Sequence, residues 1–264
     1  MKEKIDMHNH TTASDGTFTP TELVEKYARE GYSVIAVTDH DGMDGVMEAQ
    51  EAGKRLGVKV IAGIEIGTVI RDRYELHILG YDFDIHDPQM IREMESIRAY
   101  REKRNQKLLK FFRENGYSIT GKDLIQREGQ HYIGKPNFAR ALVKKGYAES
   151  VSEVFRSPKL LASETASKLK QKKVVSRDAI RWIREAGGWA VLAHPMKVRG
   201  IGEKSSEEFF RNLESIVSEL KADGLSGLEC RHPSASEEDV IRLEEIADRY
   251  GLRKTRGSDF HGDR

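Results

Sequence analysis

The feature that most constrains the fold of this sequence is a repeated order in which short apolar segments are followed by helical patterns. Seven segments have strand character, with turn-forming or polar residues around them. They are Ile5–His8, Val34–Thr38, Lys59–Ile64, Glu75–Tyr81, Trp189–Ala193, Gly227–Cys230 and Arg253–Gly257. Helical patterns between them include Pro20–Glu30, Asp44–Leu56 and Glu237–Tyr250. Strand followed by helix, repeated, predicts an α/β fold whose mainly parallel sheet is closed or nearly closed as a barrel.

The stretch from Asp87 to Lys172 interrupts this order. It begins with a long helical pattern from Gln89 to about Glu114 and continues through short helices and loops. We therefore predict a barrel built from residues 1–86 and 173–264, and a helical insertion, residues 87–172, that serves as a substrate-binding subdomain.

The insertion also carries a concentration of positive charge. The whole chain has a formal net charge of +1, yet 13 lysines and arginines and only 4 acidic residues lie between Arg98 and Lys145. Such a patch attracts anionic ligands, and phosphate is the ligand that it most favours here. A solvated helix face is the ordinary alternative for a run of charges.

Composition excludes several classes of protein. Hydrophobic residues make up 38% of the chain, enough for a core, and no apolar run approaches the roughly 18 residues that span a bilayer. The N-terminus lacks the apolar stretch of a signal peptide, so we expect a cytoplasmic protein with no membrane association and no obligate protein partner. The single cysteine, Cys230, excludes an intrachain disulfide and a cysteine-based zinc cluster. A metal would therefore be held by histidines and carboxylates.

Histidines and carboxylates recur where the strand-like segments end. His8 and His10 are two residues apart, so in an extended chain both imidazoles project to the same side. Seven more such residues lie at or near other strand ends: Asp15, His40, Glu65, His77, His194, Asp259 and His261. Each alone has an ordinary explanation as a turn former, a helix cap or a buried histidine. Together they favour a metal cluster, because barrel enzymes build their active sites at the carboxyl ends of strands.

These residues resemble the motifs of the PHP (polymerase and histidinol phosphatase) superfamily of metal-dependent phosphoesterases, in the family's order and over almost the whole chain. The matching motifs are Asp6-Met7-His8-Asn9-His10, Ser14-Asp15-Gly16, Thr38-Asp39-His40-Asp41, Gly63-Ile64-Glu65, Leu76-His77-Ile78-Leu79-Gly80, Ala193-His194-Pro195 and Gly257-Ser258-Asp259-Phe260-His261-Gly262. The resemblance implies a distorted (β/α)7 barrel and two or three divalent metal ions.

The resemblance also implies which side chains bind these ions. The sets are His8, His10, Glu65 and Asp259 for the first ion, Glu65, His77 and His194 for the second, and Asp15, His40 and His261 for the third. Glu65 would bridge two ions, and we expect Glu65, His194 and Asp259 to be the catalytic residues. Manganese is the metal that the family resemblance favours, with iron, zinc or magnesium as alternatives.

The expected chemistry is hydrolysis without a protein nucleophile. Ions about 3.5–4 Å apart can stabilise both the attacking and the leaving oxygen at phosphorus, and a hydroxide that bridges two ions would attack. Cys230 lies on a predicted strand, and the sequence contains no Gly-x-Ser-x-Gly elbow. Asp6 and Asp39 are expected either to orient ligating imidazoles or to act in turns and caps.

The insertion resembles that of the family branch that removes the 3′-phosphate from 3′,5′-nucleoside bisphosphates, some members of which also degrade short 5′-phosphorylated RNA from the 5′ end. The similarity lies in Ile133-Gly134-Lys135-Pro136-Asn137-Phe138-Ala139-Arg140-Ala141-Leu142-Val143. It implies substrate contacts by Lys135, Asn137 and Arg140, although the family more often has Arg and His where this chain has Lys135 and Asn137. Arg199 follows His194 in a glycine-bearing loop, where it could bind a second phosphate, with a solvated loop as the ordinary alternative.

Two alternatives to this function remain. A histidinol-phosphate phosphatase is disfavoured because a large basic insertion would be superfluous for so small a substrate. A non-catalytic nucleotide-sensing or polymerase-associated module would be favoured by eroded ligand positions, which this sequence does not have. The positions of Arg101 and Arg104-Asn105 in the long helix, and of Arg231-His232 after the sixth strand, are left open between the site and the solvent.

Overall fold

The computed structural model describes residues 3–125, 132–169 and 174–262. The strands are β1 (Ile5–Asp6), β2 (Val34–Val37), β3 (Lys59–Ile70), β4 (Tyr74–Tyr81), β5 (Val174–Val175), β6 (Trp189–Leu192), β7 (Gly227–Arg231) and β8 (Arg253–Arg256). The helices are α1 (Pro20–Arg29), α2 (Val46–Leu56), α3 (Pro88–Glu114), α4 (Gly121–Leu124), α5 (Lys135–Lys144), α6 (Val151–Arg156), α7 (Glu164–Lys168), α8 (Ser176–Glu185), α9 (Glu207–Ala222) and α10 (Glu237–Arg249), with one 3₁₀ turn at Pro195–Lys197.

The chain forms two compact units. The barrel unit comprises Met1–Arg92 and Lys173–Arg264, and the helical unit comprises Glu93–Lys172. The positions around Lys172, where the sequence predicts that the insertion ends, lie outside the described residues, as do residues 126–131 of the basic segment. Among the described residues, no helix combines the length and apolar character that crossing a bilayer requires.

The sheet of the barrel unit has the strand order β1-β2-β3-β4-β6-β7-β8, with β5 paired to β3. Neighbouring strands run parallel except where β4 pairs with β3 and with β6. Past the last strand the chain returns to the first: Met7 N–H donates to the Arg256 carbonyl at 3.0 Å, and Phe260 N–H donates to the His8 carbonyl at 3.3 Å. The sheet is therefore a nearly closed, mainly parallel barrel, which confirms the predicted fold class.

The hairpin of β3 and β4 differs from the sequence prediction. The predicted strand ends at Ile64, but β3 continues to Ile70 and pairs antiparallel with β4, from Gly63 opposite Tyr81 to Ile70 opposite Tyr74. A connection of three residues can join only antiparallel neighbours, because a parallel return needs a long crossover. The apolar run extends through Val69 and Ile70, so the added strand length is buried.

Helix ends in the barrel unit follow local sequence signals. Thr19 caps α1 in a capping box with Glu22, and Pro20 occupies the first helical position, as the sequence predicts. Gly57 ends α2 with φ of 74°, the left-handed conformation that glycine adopts without steric cost. These signals determine where α1 begins and where α2 ends before the chain enters the next strand.

Apolar packing holds the barrel unit together in two layers. Inside the sheet, Tyr81 packs with small and branched side chains from the neighbouring strands, and its hydroxyl donates to the Met7 carbonyl at 2.7 Å. Outside it, α1 and α2 cover the sheet with Leu23, Val24 and Ala49. Burial of such side chains stabilises the fold by roughly 1.5–3 kcal/mol each for the larger ones. This packing supports the loops at the strand ends, which carry the predicted metal ligands.

The helical unit has its own core, formed around Phe112, Phe138 and Leu142. α5 therefore contributes Phe138 and Leu142 to this core. On α3, Arg101, Arg104 and Asn105 are buried, so the alternative of a solvent-exposed mid-helix is wrong. The Arg101 guanidinium lies 4.0 Å from the centre of the Tyr132 ring, and Asn105 Nδ2 donates to the Ile133 carbonyl at 2.9 Å.

Candidate metal centre

All nine predicted ligands lie in the barrel unit, and eight of them are grouped around the ninth, Glu65 of β3. His8 and His10 follow β1, His40 follows β2, His77 lies in β4, and His194 follows β6. Asp259 and His261 follow β8, and Asp15 comes from the loop between β1 and α1. Parallel strands deliver these side chains to one rim because their carboxyl ends meet there. His77 reaches the same place from the antiparallel strand, directly across the hairpin from Gly67.

The Glu65 carboxylate contacts two groups of imidazoles through its two oxygens. Oε1 lies 2.7 Å from His77 Nδ1 and 2.9 Å from His194 Nε2. Oε2 lies 3.1 Å from His40 Nδ1, 3.4 Å from His8 Nε2 and 3.3 Å from His10 Nε2. Glu65 is fully buried, so this arrangement is enclosed by protein. A carboxylate placed in this way can bridge two cations.

The four side chains predicted for the first ion form one compact set. His8 Nε2 and His10 Nε2 lie 3.4 Å and 3.3 Å from Asp259 Oδ1, at nearly the same distances as from Glu65 Oε2. Their ligand atoms all lie within 4.8 Å of one another. Two imidazole nitrogens and two carboxylate oxygens at such distances can converge on one cation.

A second compact set contains the residues predicted for the third ion, together with His10. Asp15 Oδ1 lies 3.3 Å from His261 Nε2 and 3.7 Å from His10 Nδ1, and Asp15 Oδ2 lies 3.9 Å from His40 Nε2. A further compact set joins His40, Glu65 and His77. His194 approaches this last set through Glu65 Oε1, as described above.

The buried polar atoms of the centre fit divalent cations. His8 Nε2, His10 Nε2, Asp15 Oδ1 and Glu65 Oε2 are buried, and none has a hydrogen-bond partner. Buried polar atoms without partners cost free energy, and proteins rarely leave several of them together. All four point into the ligand sets, where a bound cation would satisfy them. The mixture of imidazole and carboxylate suits Mn, Fe or Zn better than calcium.

Burial and mutual attraction shift the pKa values throughout the cluster. Burial lowers the pKa of His10, but the close carboxylates of Asp259 and Glu65 outweigh it and raise that pKa to about 10. Burial lowers the pKa of His40 to about 4, against the attraction of Glu65 and Asp15. Burial alone would raise the pKa of Glu65, yet the surrounding histidines hold it well below its usual value. The surrounding imidazoles therefore favour the ionised form of Glu65.

Two further aspartates hold the backbone of the ligand loops. Asp6 accepts hydrogen bonds from His8 N–H at 3.2 Å and Ser258 N–H at 3.0 Å. Asp39 accepts from Thr11 N–H and from the Thr11 hydroxyl, both at 2.7 Å. Of the two roles left open by the sequence, the described contacts support the turn-forming one, because they fix backbone and hydroxyl groups.

Sequence reasoning missed Glu229 of β7 beside the centre, and it left open the position of His232 in the loop that follows β7. Glu229 is fully buried and lies 3.1 Å from His8 Nδ1. His232 is buried, and its Nε2 lies 3.5 Å from Asp259 Oδ2 while its Nδ1 accepts from Ser234 N–H at 2.9 Å. The alternative of a solvated loop is therefore wrong for His232. Glu229 occupies the strand position next to Cys230, and a charged residue inside an otherwise apolar strand was the signal available.

A cavity of about 460 Å³ opens beside the ligand cluster within the barrel unit. Its lining includes His77, His194 and Asp259 together with three cationic side chains, Arg73, Lys197 and Arg199. Lys197 Nζ donates to Asp259 Oδ2 at 2.5 Å. Arg73 comes from the tip of the β3–β4 hairpin, whose length the sequence pattern did not predict. The predicted position of Arg199 beside the metal ligands agrees with this lining.

The other predicted substrate contacts lie in the helical unit. Asn137 is fully buried, and its amide accepts from Gly134 N–H at 2.9 Å and donates to the Leu124 carbonyl at 3.2 Å. Lys135 begins α5, and Arg140 is exposed on the same helix. Their role in substrate binding stays a prediction, as does that of Asn137.

Known proteins similar to this chain over nearly its whole length include a phosphatase and an exoribonuclease. A 5′-3′ exoribonuclease from Haemophilus influenzae is 32% identical over 265 residues, which cover 99% of this chain and 91% of that protein. A 3′,5′-nucleoside bisphosphate phosphatase from Chromobacterium violaceum is 32% identical over 97% of this chain and 87% of that protein.

A solved structure from Bifidobacterium adolescentis, proposed to be a metal-dependent phosphoesterase, superposes with a TM-score of 0.83 at 31% identity. The match covers 99% of this chain and 89% of that one. The family described as PHP domain matches residues 6–186. With the barrel, the ligand cluster and these relatives in agreement, the chain belongs to the PHP domain family.

Proposed function

We propose that this protein is a metal-dependent phosphoesterase that removes the 3′-phosphate from 3′,5′-nucleoside bisphosphates and also shortens 5′-phosphorylated RNA from its 5′ end. The observation that carries the proposal is the cluster of nine ligand-type side chains centred on buried Glu65. Four buried polar atoms of this cluster lack hydrogen-bond partners. The names of two relatives, a bisphosphate phosphatase and an exoribonuclease, support the substrate class.

The centre would hold two or three divalent ions, with Mn²⁺ as the first choice. His8, His10, Glu65 and Asp259 would hold one ion, and Glu65 would share another with His77 and His194. Asp15, His40 and His261 would hold the third. The chemistry that such ions supply is Lewis-acid polarisation of a phosphoryl group and acidification of the attacking water.

The chain's own residues bind and orient the substrate beside this centre. The cationic side chains Arg73, Lys197 and Arg199 on the cavity wall attract the phosphate groups, and an arginine can bind a phosphate through two parallel hydrogen bonds. Lys197 already contacts Asp259, so a phosphate drawn to Lys197 lies close to the predicted ligands of the first ion. The cavity volume of about 460 Å³ suits a nucleotide.

The function is tested by offering the Mn²⁺-loaded protein adenosine 3′,5′-bisphosphate, a short 5′-phosphorylated RNA and histidinol phosphate, while phosphate and mononucleotide release are measured. We expect turnover of the first two. Turnover of histidinol phosphate alone would refute the proposal. His194→Ala should abolish turnover, whereas His86→Ala, an exposed histidine outside the cluster, should leave it unchanged.

A further inference from the structure

We propose that Glu229 is a positioning residue that selects the tautomer of His8 and fixes the backbone of His194, and so prepares ligands of two different ions. The inference rests on the proposed metal centre and deepens it. β7 contributes none of the nine predicted ligands, yet its Glu229 contacts one ligand from the end of β1 and one from the end of β6. Both contacts are buried.

The two oxygens of Glu229 face both ligands. Oε1 and Oε2 lie 3.1 Å and 3.3 Å from His8 Nδ1. Oε2 also accepts a hydrogen bond from the backbone N–H of His194 at 2.6 Å. His194 has a φ of 26°, a positive value that residues other than glycine rarely adopt. The hydrogen bond therefore holds an unfavourable backbone conformation from which the imidazole reaches Glu65.

The contact with His8 decides which ring nitrogen is free to bind a cation. A carboxylate can only accept hydrogen bonds, so the Nδ1 that faces it must donate. In a neutral imidazole with its proton on Nδ1, Nε2 keeps its lone pair. His8 Nε2 is the atom that points to Glu65 Oε2 and Asp259 Oδ1 and has no hydrogen-bond partner. Glu229 thus directs the lone pair of His8 toward the predicted first ion.

The backbone after β8 packs closely against this pair. A Cβ atom on Gly257 would lie 2.2 Å from His8 Cβ and 2.5 Å from Glu229 Oε1. Both side chains are fully buried, so the contact between them is shielded from water.

Glu229→Gln tests the proposal because it keeps the size of the side chain and changes only its hydrogen-bonding pattern. In Glu229→Gln one oxygen remains to accept from His194 N–H, and the amide NH₂ takes the place of Oε1, the oxygen nearer to His8 Nδ1. An NH₂ group at this place favours an Nδ1 that accepts, with the proton on Nε2, the metal-binding atom. An analogous carboxylate-to-amide change in a catalytic triad enforces the wrong histidine tautomer. Glu75→Gln is the matched control, since this exposed carboxylate lines the cavity beside the centre and its loss removes the same charge.

Metal content and affinity are measured by elemental analysis and by competition with a chelator, using Mn²⁺ and Zn²⁺. We expect Glu229→Gln to weaken binding of the tightest ion by about 10- to 100-fold, and Glu75→Gln to change it by less than about threefold. Equal losses in the two variants would show an effect of charge and overturn the tautomer assignment. Unchanged affinity in Glu229→Gln would overturn it as well.

A second measurement does not depend on the variant. In Zn²⁺-loaded protein labelled with ¹⁵N-histidine, His8 should show a slowly exchanging proton on Nδ1, assigned by its loss in His8→Ala. A His8 that carries no proton on Nδ1 would refute the proposal. Wild-type protein that binds metal with this tautomer but hydrolyses no nucleotide would refute the proposed function and leave this inference standing.

Discussion

Gly257 lies where the chain after β8 crosses His8 and Glu229, and its replacement by alanine is the sharpest test of how the centre is packed. The added Cβ would come within 2.2 Å of His8 Cβ, 2.5 Å of Glu229 Oε1 and 3.1 Å of His8 N. Ordinary contact with a Cβ begins at 3.4 Å, and two of these three neighbours are not the ends of flexible side chains. Relief of the overlap requires a shift of roughly 1 Å in His8 or in the backbone that leads to Asp259.

The expected effects follow from this displacement. Overpacking of a tight interior costs about 1–3 kcal/mol in the free energy of unfolding. A shift of about 1 Å in a ligand can reduce turnover by about 100-fold, and disturbance of an outer partner can weaken metal binding by about 10- to 100-fold. We therefore expect Gly257→Ala to lose metal affinity and activity by more than its loss of stability explains.

The assay combines urea unfolding with chelator competition and initial rates at saturating Mn²⁺. Gly67→Ala is the matched control, because its Cβ would meet only the His77 ring, at an ordinary 3.8 Å. Gly67→Ala should keep wild-type affinity and stability. A Gly257→Ala protein with wild-type metal affinity would refute the account of a tightly packed, pre-formed centre.

Three other outcomes are expected. Metal binding at pH 7 should release about one proton or more, because a His10 whose pKa is raised to about 10 is protonated before the cation binds. Metal affinity should therefore fall as the pH falls. A binding enthalpy that calorimetry finds to be the same in Tris and phosphate buffers would contradict this. Asp39→Asn should lower the free energy of unfolding by about 1–3 kcal/mol in urea titrations, since an amide cannot accept all the hydrogen bonds that Thr11 and Ser14 donate. Arg199→Ala should raise KM for adenosine 3′,5′-bisphosphate by about 10-fold but leave KM for adenosine 3′-monophosphate unchanged, and equal changes for both would remove Arg199 from the second-phosphate site.

Local signals in the sequence were enough to predict the main elements of the barrel. The seven strand-like segments correspond to β1–β4 and β6–β8. Capping by Thr19 and Gly57 depends only on residues that are neighbours along the chain, so the sequence alone indicates it. The common location of the histidines at strand ends could also be predicted, because side-chain alternation in a strand determines which residues share a face. β5, which has two residues and leads directly into α8, was not predicted.

Tertiary structure alone decided what surrounds these ligands. Glu229 and His8 are 221 positions apart, and the hydrogen bond between them depends on β7 and β1 reaching the same rim. The length of the β3–β4 hairpin carries Arg73 to the cavity, although nothing near Arg73 in the sequence marks it as different from other surface arginines. A residue's type and its near neighbours determine which strand end it occupies, whereas its hydrogen-bond partners and the space beside it depend on how distant strands close into the barrel.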